Sequence, residues 1–361
     1  MKFLFKLPGR IKRISDSPGI LYLHIGMHKT GTTFLQFGLS QNRGLLKKYG
    51  ICYPEVGWGE KAPNQHTSMV QAIESGELDR AKELVFRAFR KAVHVLLSAE
   101  RFGPSLHRHP DQFLRWFEGI RQSGHDIKAI VYIRRQDLYA QSAYRAGVRN
   151  PDGKRLTMTF QEFITERANS FDYRTRLEPW RYALGTDNLI IRPFERGQWR
   201  DEDLMHDFLN ILGIDSISGF RAPTPDTNRS FSAAVTELLR RTNSQRNAEQ
   251  QRKALKLLDE TLLPSELYGE WGGHTYLNPA EQQIFIERYT DSNRTIATEW
   301  LGRADGRLFY DKINTAAQTN IADLSDPVIS RLQNLIQVRL SEQAIGSTFG
   351  PADAVRLGLC N

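Results

Sequence analysis

The residues around Gly26 constrain the fold of this chain more than any other stretch. Residues 20–25 form an apolar run typical of a buried strand, and the run breaks at Gly26. An apolar-periodic helix follows from about Thr32, with Leu35 and Leu39 on one side. A strand, a tight glycine turn and a helix together place free backbone N–H groups where they can hold a phosphate. The stretch therefore predicts an α/β protein with a phosphate-binding loop.

The turn also supplies a cation and hydroxyl donors to such a phosphate, from Lys29, Thr30, Thr32 and Thr33. It is not a Walker A loop, because that motif places its lysine directly after its second glycine. Here Gly26 and Gly31 bracket the lysine. The sequence thus indicates a phosphate-bearing ligand other than a nucleoside triphosphate bound in the P-loop manner.

Charge and cysteine content narrow the classes of partner. The chain of 361 residues has a formal net charge of +8, spread along its length. No basic patch interleaved with aromatic residues and no zinc-finger spacing indicates nucleic acid, so a solvated basic surface is the simpler interpretation of the charge. A small anionic cofactor or an acidic glycan would use this charge equally well. Its two cysteines, Cys52 and Cys360, imply no disulfide framework.

The N-terminal residues 1–13 are basic, and their apolar run is too short for a secretory signal. No apolar stretch approaches the length of a membrane span. We expect a cytoplasmic protein, with residues 1–13 as a candidate for peripheral contact with the inner face of the membrane. The oligomeric state is left open.

Strands alternate with helices along the first two thirds of the chain. The apolar runs predict strands over residues 20–25, 49–54, 93–98, 126–134 and 188–192. The helical patterns between and after them span residues 31–43, 66–75, 78–91, 110–122, 137–149, 159–168, 172–184 and 202–212. This alternation predicts a parallel sheet covered by helices on both faces.

After about residue 220 the pattern becomes helical, over residues 230–243, 246–263, 278–302 and 326–343. We therefore predict a basic N-terminal segment over 1–19, a catalytic core over 20–215 and a helical extension over 216–361 that packs on the core.

Further polar residues follow other predicted strands. Glu100 comes just after the strand that ends near Ser98, and Arg134 ends the clearest strand in the chain. Ser142 lies one turn into the next helix. Because ligands of open parallel sheets bind beyond the carboxyl ends of the strands, Arg134 and Ser142 are candidates for a second phosphate.

These residues resemble the sulfotransferases that use 3′-phosphoadenylyl sulfate (PAPS). The segment from Gly26 to Thr33 is similar to their 5′-phosphosulfate loop, and Arg134 with Ser142 to their 3′-phosphate signature. The resemblance covers about residues 20–215 and implies a P-loop-like, three-layer fold. It implies PAPS as the donor, 3′,5′-adenosine bisphosphate (PAP) as the product and no metal. The bacterial character of the similarity favours a carbohydrate or glycolipid as the acceptor.

The chain departs from the animal cytosolic members, because it lacks their Arg-Lys-Gly and Gly-Asp-Trp-Lys segments. In the animal enzymes these segments contact the adenine and the 3′-phosphate. The resemblance therefore does not identify the residues of this chain that make those contacts. Trp180, Tyr173 and Arg229 are guesses for residues that contact the adenine or the 3′-phosphate.

The resemblance implies in-line transfer of a sulfuryl group to an acceptor hydroxyl, with Lys29 stabilising the leaving phosphate oxygen. A general base is also needed, and either Glu100 or His66 is a candidate. His28 is a candidate contact to cofactor or acceptor, and Ser98 either donates to the 3′-phosphate or simply ends its strand. Two alternatives stay open: a nucleotide-dependent kinase or other phosphoryl transferase, and a non-catalytic nucleotide-binding protein.

Overall fold

The fold was analysed in a computed structural model that describes residues 18–59, 64–152, 154–222, 230–269, 276–315, 326–342 and 348–360. The strands are β1 (Ile20–His24), β2 (Ile51–Cys52), β3 (His94–Ser98), β4 (Asp126–Ile133) and β5 (Leu189–Pro193). The helices up to residue 211 are α1 (Thr32–Gln41), α2 (Arg43–Lys48), α3 (Thr67–Glu74), α4 (Leu78–Phe89), α5 (Phe102–Arg108), α6 (Pro110–Gln122), α7 (Gln136–Arg149), α8 (Phe160–Glu166), α9 (Tyr173–Leu184) and α10 (Leu204–Ile211). Those after it are α11 (Ala233–Thr242), α12 (Ala248–Thr261), α13 (Pro264–Leu267), α14 (Pro279–Glu287), α15 (Thr290–Thr295), α16 (Asp326–Glu342) and α17 (Pro351–Arg356).

The described residues group into two compact units. The described residues of the first unit lie within Met1–Tyr132, Leu177–Arg192 and Gln198–Pro223, and those of the second within Ile133–Arg176, Pro193–Gly197 and Thr224–Asn361. Residues 133–176, which the sequence assigns to the core, thus belong to the same unit as the C-terminal helices. The reason is that α7 packs against α11 and α14. Whether 20–215 and 216–361 are separate domains stays a prediction.

A parallel sheet of order β2-β3-β1-β4-β5 forms the centre of the first unit, apart from the last residues of β4 and β5. Its middle strands are buried on both faces, as in parallel sheets covered by helices. The register places His24 opposite both Ser98 and Ile130. The segments that follow β1 and β3 therefore leave the same edge of the sheet side by side.

Helices flank this sheet, which confirms the α/β prediction. In α6 the residues Phe113, Trp116, Phe117 and Ile120 are fully buried, and their spacing puts them on one helical face. Burying aromatic side chains of this size contributes about 1.5–3 kcal/mol each. The helical periodicity of the sequence thus identified the face that packs in the interior.

The second unit has its own apolar core, built by helices. It contains Tyr144 and Val148 of α7, together with buried residues of α11, α12, α16 and the chain from α17 onward. The hydroxyl of Tyr144 donates to the carbonyl of Met158 (2.8 Å). This unit confirms the predicted helical C-terminal region.

The predicted helix over 278–302 is wrong in one respect, because it is interrupted. Helix α14 ends at Glu287, α15 starts at Thr290, and a π-helical turn runs from Ile296 to Trp300. At the break, the buried Tyr289 packs on Phe285 and donates to the carbonyl of Ala168 (3.1 Å). Tertiary packing of this tyrosine overrides the local helical pattern.

The candidate membrane segment 1–13 and Arg229 lie outside the described residues. Within the described part of the chain, no helix is long and apolar enough to cross a membrane.

Candidate functional site

The predicted phosphate loop joins β1 to α1 through residues 25–31, hereafter the Lys29 loop. It contains three residues in the left-handed region, at Gly26 (φ 42°), Lys29 (φ 68°) and Gly31 (φ 71°). A Cβ added to Gly26 would lie 3.1 Å from side-chain carbons of both Glu100 and Thr32. Gly26 is therefore required for its backbone conformation and for the close approach of Glu100.

Lys29 is the one residue of this loop with a side chain in the left-handed region, which costs about 1–2 kcal/mol relative to a right-handed conformation. The side chain is exposed, so packing in the core does not explain the conformation. Strain of this kind occurs at ligand-binding and catalytic sites, where it positions a particular side chain. The backbone geometry is consistent with a functional ammonium group.

The hydroxyl groups of the Lys29 loop and of the first turn of α1 divide into two kinds. Thr30 is buried and donates to the carbonyl of Met27 (2.6 Å), which closes the turn. Thr32 is also buried and donates to the Glu100 carboxylate. Thr33 is exposed on the first turn of α1, whose N-cap Gly31 makes no side-chain capping bond. Donation to a ligand is thus expected from Thr33, Lys29 and the first N–H groups of the helix.

Glu100 lies against the loop from the end of β3. Its carboxylate accepts from Thr32 and lies 2.6 Å from Nδ1 of His28. Burial alone would raise the pKa of Glu100, but the hydrogen bond and charge from His28, the Thr32 hydroxyl and the charge of Lys29 lower it to about 2. The carboxyl is therefore ionised at neutral pH.

His66 and Ser98 lie in the interior of the first unit. The Nδ1 of His66 accepts from the N–H of Ser98 (3.0 Å), so its Nε2 donates to the carbonyl of Pro54 (2.8 Å). Burial lowers the pKa of His66 to about 4, against the opposing effect of these backbone bonds. The Oγ of Ser98 contacts His24 Nδ1 (2.8 Å) and Gln36 Nε2 (3.0 Å). Both predicted site residues are inaccessible, so a ligand reaches them only if the surrounding structure moves.

Arg134 and Ser142 line a cavity of about 510 Å³ in the second unit, hereafter the Arg134 pocket. Burial lowers the pKa of the Arg134 guanidinium, and the charges of Arg145 and Arg135 act in the same direction. The other residues of the lining are Leu138, Gln141, Ser230, Gln282, Asp311, Lys312 and Asn314. This excess of positive charge in a small polar cavity suits an anion such as a phosphate.

Arg145 and Lys312 are residues of this pocket that the sequence did not reveal. The Arg145 guanidinium lies 5.4 Å from the centre of the Tyr276 ring, and its buried Nε has no hydrogen-bond partner among the described residues. Arg145 follows Ser142 by three residues on α7, so its helical spacing was the available signal. Lys312 carried no such signal, since it lies in a segment without regular structure.

That segment, residues 302–315, is fixed by two buried side chains. The carboxylate of Glu195, just after β5, accepts from the N–H groups of Tyr310 (2.7 Å) and Asp311 (3.1 Å). Arg135 forms a bidentate pair with Asp137 and donates to the carbonyl of Asp311 (2.6 Å). These bonds hold the backbone that precedes Lys312.

We expect Glu195→Ala to destabilise the protein by about 2 kcal/mol, because two backbone N–H groups lose their buried acceptor. The affinity of the Arg134 pocket for inorganic phosphate should fall as well, since Lys312 loses its fixed backbone. Urea denaturation and calorimetric titration measure the two effects. Glu195→Gln is the matched control: it keeps one acceptor oxygen and should lose less in both. Equal behaviour of the two variants would contradict this account of the segment.

Of the residues guessed to contact the adenine, Trp180 and Tyr173 are described, and their side chains have different surroundings. Trp180 is buried in the core of the first unit, where its ring packs on Phe113 and Phe117. Tyr173 is fully buried in the second unit and donates its hydroxyl to the carbonyl of Arg134. Tyr173 thus supports the Arg134 backbone instead of offering its ring to a ligand. In the described part of the chain, no three His, Cys, Asp or Glu residues cluster as metal ligands do.

Comparisons with known proteins leave the family open. No family model matches the chain. An uncharacterized protein of Archaeoglobus fulgidus is 29% identical over 212 residues, which is 58% of this chain. The matched stretch covers 54% of that relative, so the chain spans about half the length of the protein it matches.

Proposed function

We propose that this protein is a PAPS-dependent sulfotransferase that transfers a sulfuryl group to an acceptor hydroxyl. The observation that carries the proposal is the Lys29 loop, where a strained lysine stands between a parallel strand and an uncapped helix N-terminus. The cationic Arg134 pocket supports it, because PAPS carries a second phosphate at its 3′ position. PAP is then the product, and the chemistry of these residues needs no metal.

In this proposal the Lys29 loop binds the 5′-phosphosulfate, and Arg134 and Ser142 remain the sequence candidates for binding the 3′-phosphate. The sulfur–oxygen bond to the 5′-phosphate breaks, and negative charge develops on the leaving oxygen. The Lys29 ammonium is the group that neutralises this charge. Thr33 and the N–H groups at the start of α1 bind the other phosphate oxygens.

The acceptor is proposed to be a carbohydrate or a glycolipid, consistent with the family resemblance and the net charge of +8. We further propose a cytoplasmic location, with residues 1–13 as the contact to the inner face of the membrane. Of the two sequence candidates for the general base, Glu100 lies at the Lys29 loop, whereas both ring nitrogens of His66 are bonded in the interior. The geometry therefore favours a general base near Glu100 over one at His66.

Thermal denaturation with nucleotides tests the proposal directly. PAP at about 100 times its dissociation constant should add about 2.7 kcal/mol to the free energy of unfolding. AMP, which lacks the 3′-phosphate, should stabilise the protein less. Stabilisation by ATP–Mg²⁺ alone would instead support a phosphoryl transferase.

Transfer from radiolabelled PAPS to a panel of glycans, glycolipids and phenols then identifies the acceptor. Binding of PAP with no transfer to any acceptor or to water would indicate a non-catalytic nucleotide-binding protein.

A further inference from the structure

His28 and Glu100 form a pair in which the imidazole is the accessible member. The Nδ1 of His28 lies 2.6 Å from a carboxylate oxygen of Glu100, although the two residues are far apart in sequence. The exposed fraction of the side chain is 58% for His28 and 21% for Glu100. A ligand at the Lys29 loop thus reaches the imidazole more readily than the carboxylate.

The contact fixes how the imidazole is protonated. An ionised carboxylate only accepts hydrogen bonds, so Nδ1 of His28 must carry the proton that lies between the two groups. In the neutral imidazole, Nε2 then holds the free electron pair. A carboxylate that fixes the imidazole tautomer in this way is what makes histidine an effective base in hydrolytic triads.

Glu100 itself is a poor proton acceptor. The contacts with His28 and Thr32 and the charge of Lys29 hold its pKa at about 2, despite the opposing effect of burial. A base works best when its pKa lies near the operating pH, and that of Glu100 lies far below neutral. Its hydrogen bonds to His28 in the Lys29 loop and to Thr32 at the start of α1 suit a residue that positions others.

We infer that His28 is the general base of the transfer reaction, with Nε2 as the proton-accepting atom, and that Glu100 is its positioning residue. The inference rests on the proposed function and assigns the base to a residue other than the two sequence candidates. Loop geometry supports it: Gly26 lets the loop approach Glu100 closely, and His28 directly precedes the strained Lys29.

The acceptor oxygen forms a bond to sulfur while the bond from sulfur to the 5′-phosphate oxygen breaks. The acceptor proton moves to Nε2 of His28, and the electron pair of the broken bond stays on the phosphate oxygen beside Lys29. Glu100 stabilises the imidazolium that results, as the carboxylate does in a triad.

The tautomer can be measured without any assay of activity. Nitrogen NMR of the full-length protein with labelled histidine should show His28 protonated at Nδ1 and unprotonated at Nε2 in the neutral form. The Glu100→Gln variant should lose this preference. A neutral His28 that carries its proton on Nε2 in the wild-type protein would overturn the inference.

Kinetics test the base itself, with water as the acceptor and release of radiolabelled sulfate from PAPS as the readout. His28→Ala should lower the rate about 100-fold or more, with PAP affinity nearly unchanged. Added imidazole should restore part of the rate. His107→Asn, which changes an exposed histidine of α5, is the matched control and should keep the wild-type rate.

The pH profile separates a base from a structural residue. The wild-type rate should rise with pH, and this limb should vanish in His28→Ala, which lacks the proton-accepting imidazole. In Glu100→Gln the limb should persist, because the imidazole that accepts the proton is still present. A His28→Ala variant that keeps the rate and the limb would overturn the inference, whereas a protein that binds no PAP would overturn the proposed function.

Discussion

The Lys29→Ala variant is expected to turn over PAPS roughly 100- to 1000-fold more slowly than the wild type, the usual loss when one preorganised donor is removed from a developing negative charge. The main effect should be on kcat, because the charge on the leaving oxygen is greatest in the transition state. Initial rates of sulfate release or acceptor sulfation, measured over a range of PAPS concentrations, separate kcat from KM.

Two controls keep this result interpretable. Lys253→Ala removes an exposed lysine that pairs with Glu249 on α12, and it should leave the rate unchanged. Thermal denaturation should show that Lys29→Ala is folded. Its free energy of unfolding should fall by at most about 1 kcal/mol, since the side chain is exposed. Near-normal turnover in a folded Lys29→Ala variant would rule out the assigned function of this residue.

The Arg134→Ala variant is expected to bind PAP about 10- to 100-fold more weakly, because a hydrogen bond to a charged group contributes about 1.5–3 kcal/mol. Arg134→Lys should recover only part of the affinity, since an ammonium lacks the planar fork that binds two phosphate oxygens. Calorimetric titration of PAP against both variants gives the affinities directly.

The 3′-phosphate provides the control for this prediction. AMP lacks that group, so Arg134→Ala and the wild type should bind AMP with nearly equal affinity. Arg252→Ala, which removes an exposed partner of Asp152 in the same unit, should bind PAP as the wild type does. An equal loss of affinity for AMP and PAP would place the phosphate contact elsewhere.

The strands and most helices were predictable because their patterns are strong and local. Strand β4 and helix α6 lie within a residue of the predicted ranges, since one is a continuous apolar run and the other has a clear apolar face. The short helices α2 and α5 were missed, because six or seven residues contain too little periodicity to be recognised.

The site was predictable only where a motif is contiguous. The loop from Gly26 to Thr33 could be identified from spacing alone, although spacing did not show that Thr30 and Thr32 are engaged inside the protein. The pairing of His28 with Glu100 depends on the register between β1 and β3, which one sequence does not reveal.

The presence of Lys312 in the Arg134 pocket could not be predicted for a similar reason. Its backbone is held by contacts of Glu195 and Arg135, which come from distant parts of the chain. A segment without helical or strand periodicity offers no pattern from which such contacts could be inferred.

Because Lys29 has a left-handed backbone conformation, folding stability and catalysis favour different residues at position 29. Glycine adopts this backbone conformation without strain, so selection for folding stability alone would favour glycine there. Under the proposed function, selection for catalysis would retain the lysine at the expense of some stability. Position 29 is therefore where engineering for heat resistance and preservation of activity are expected to conflict most directly.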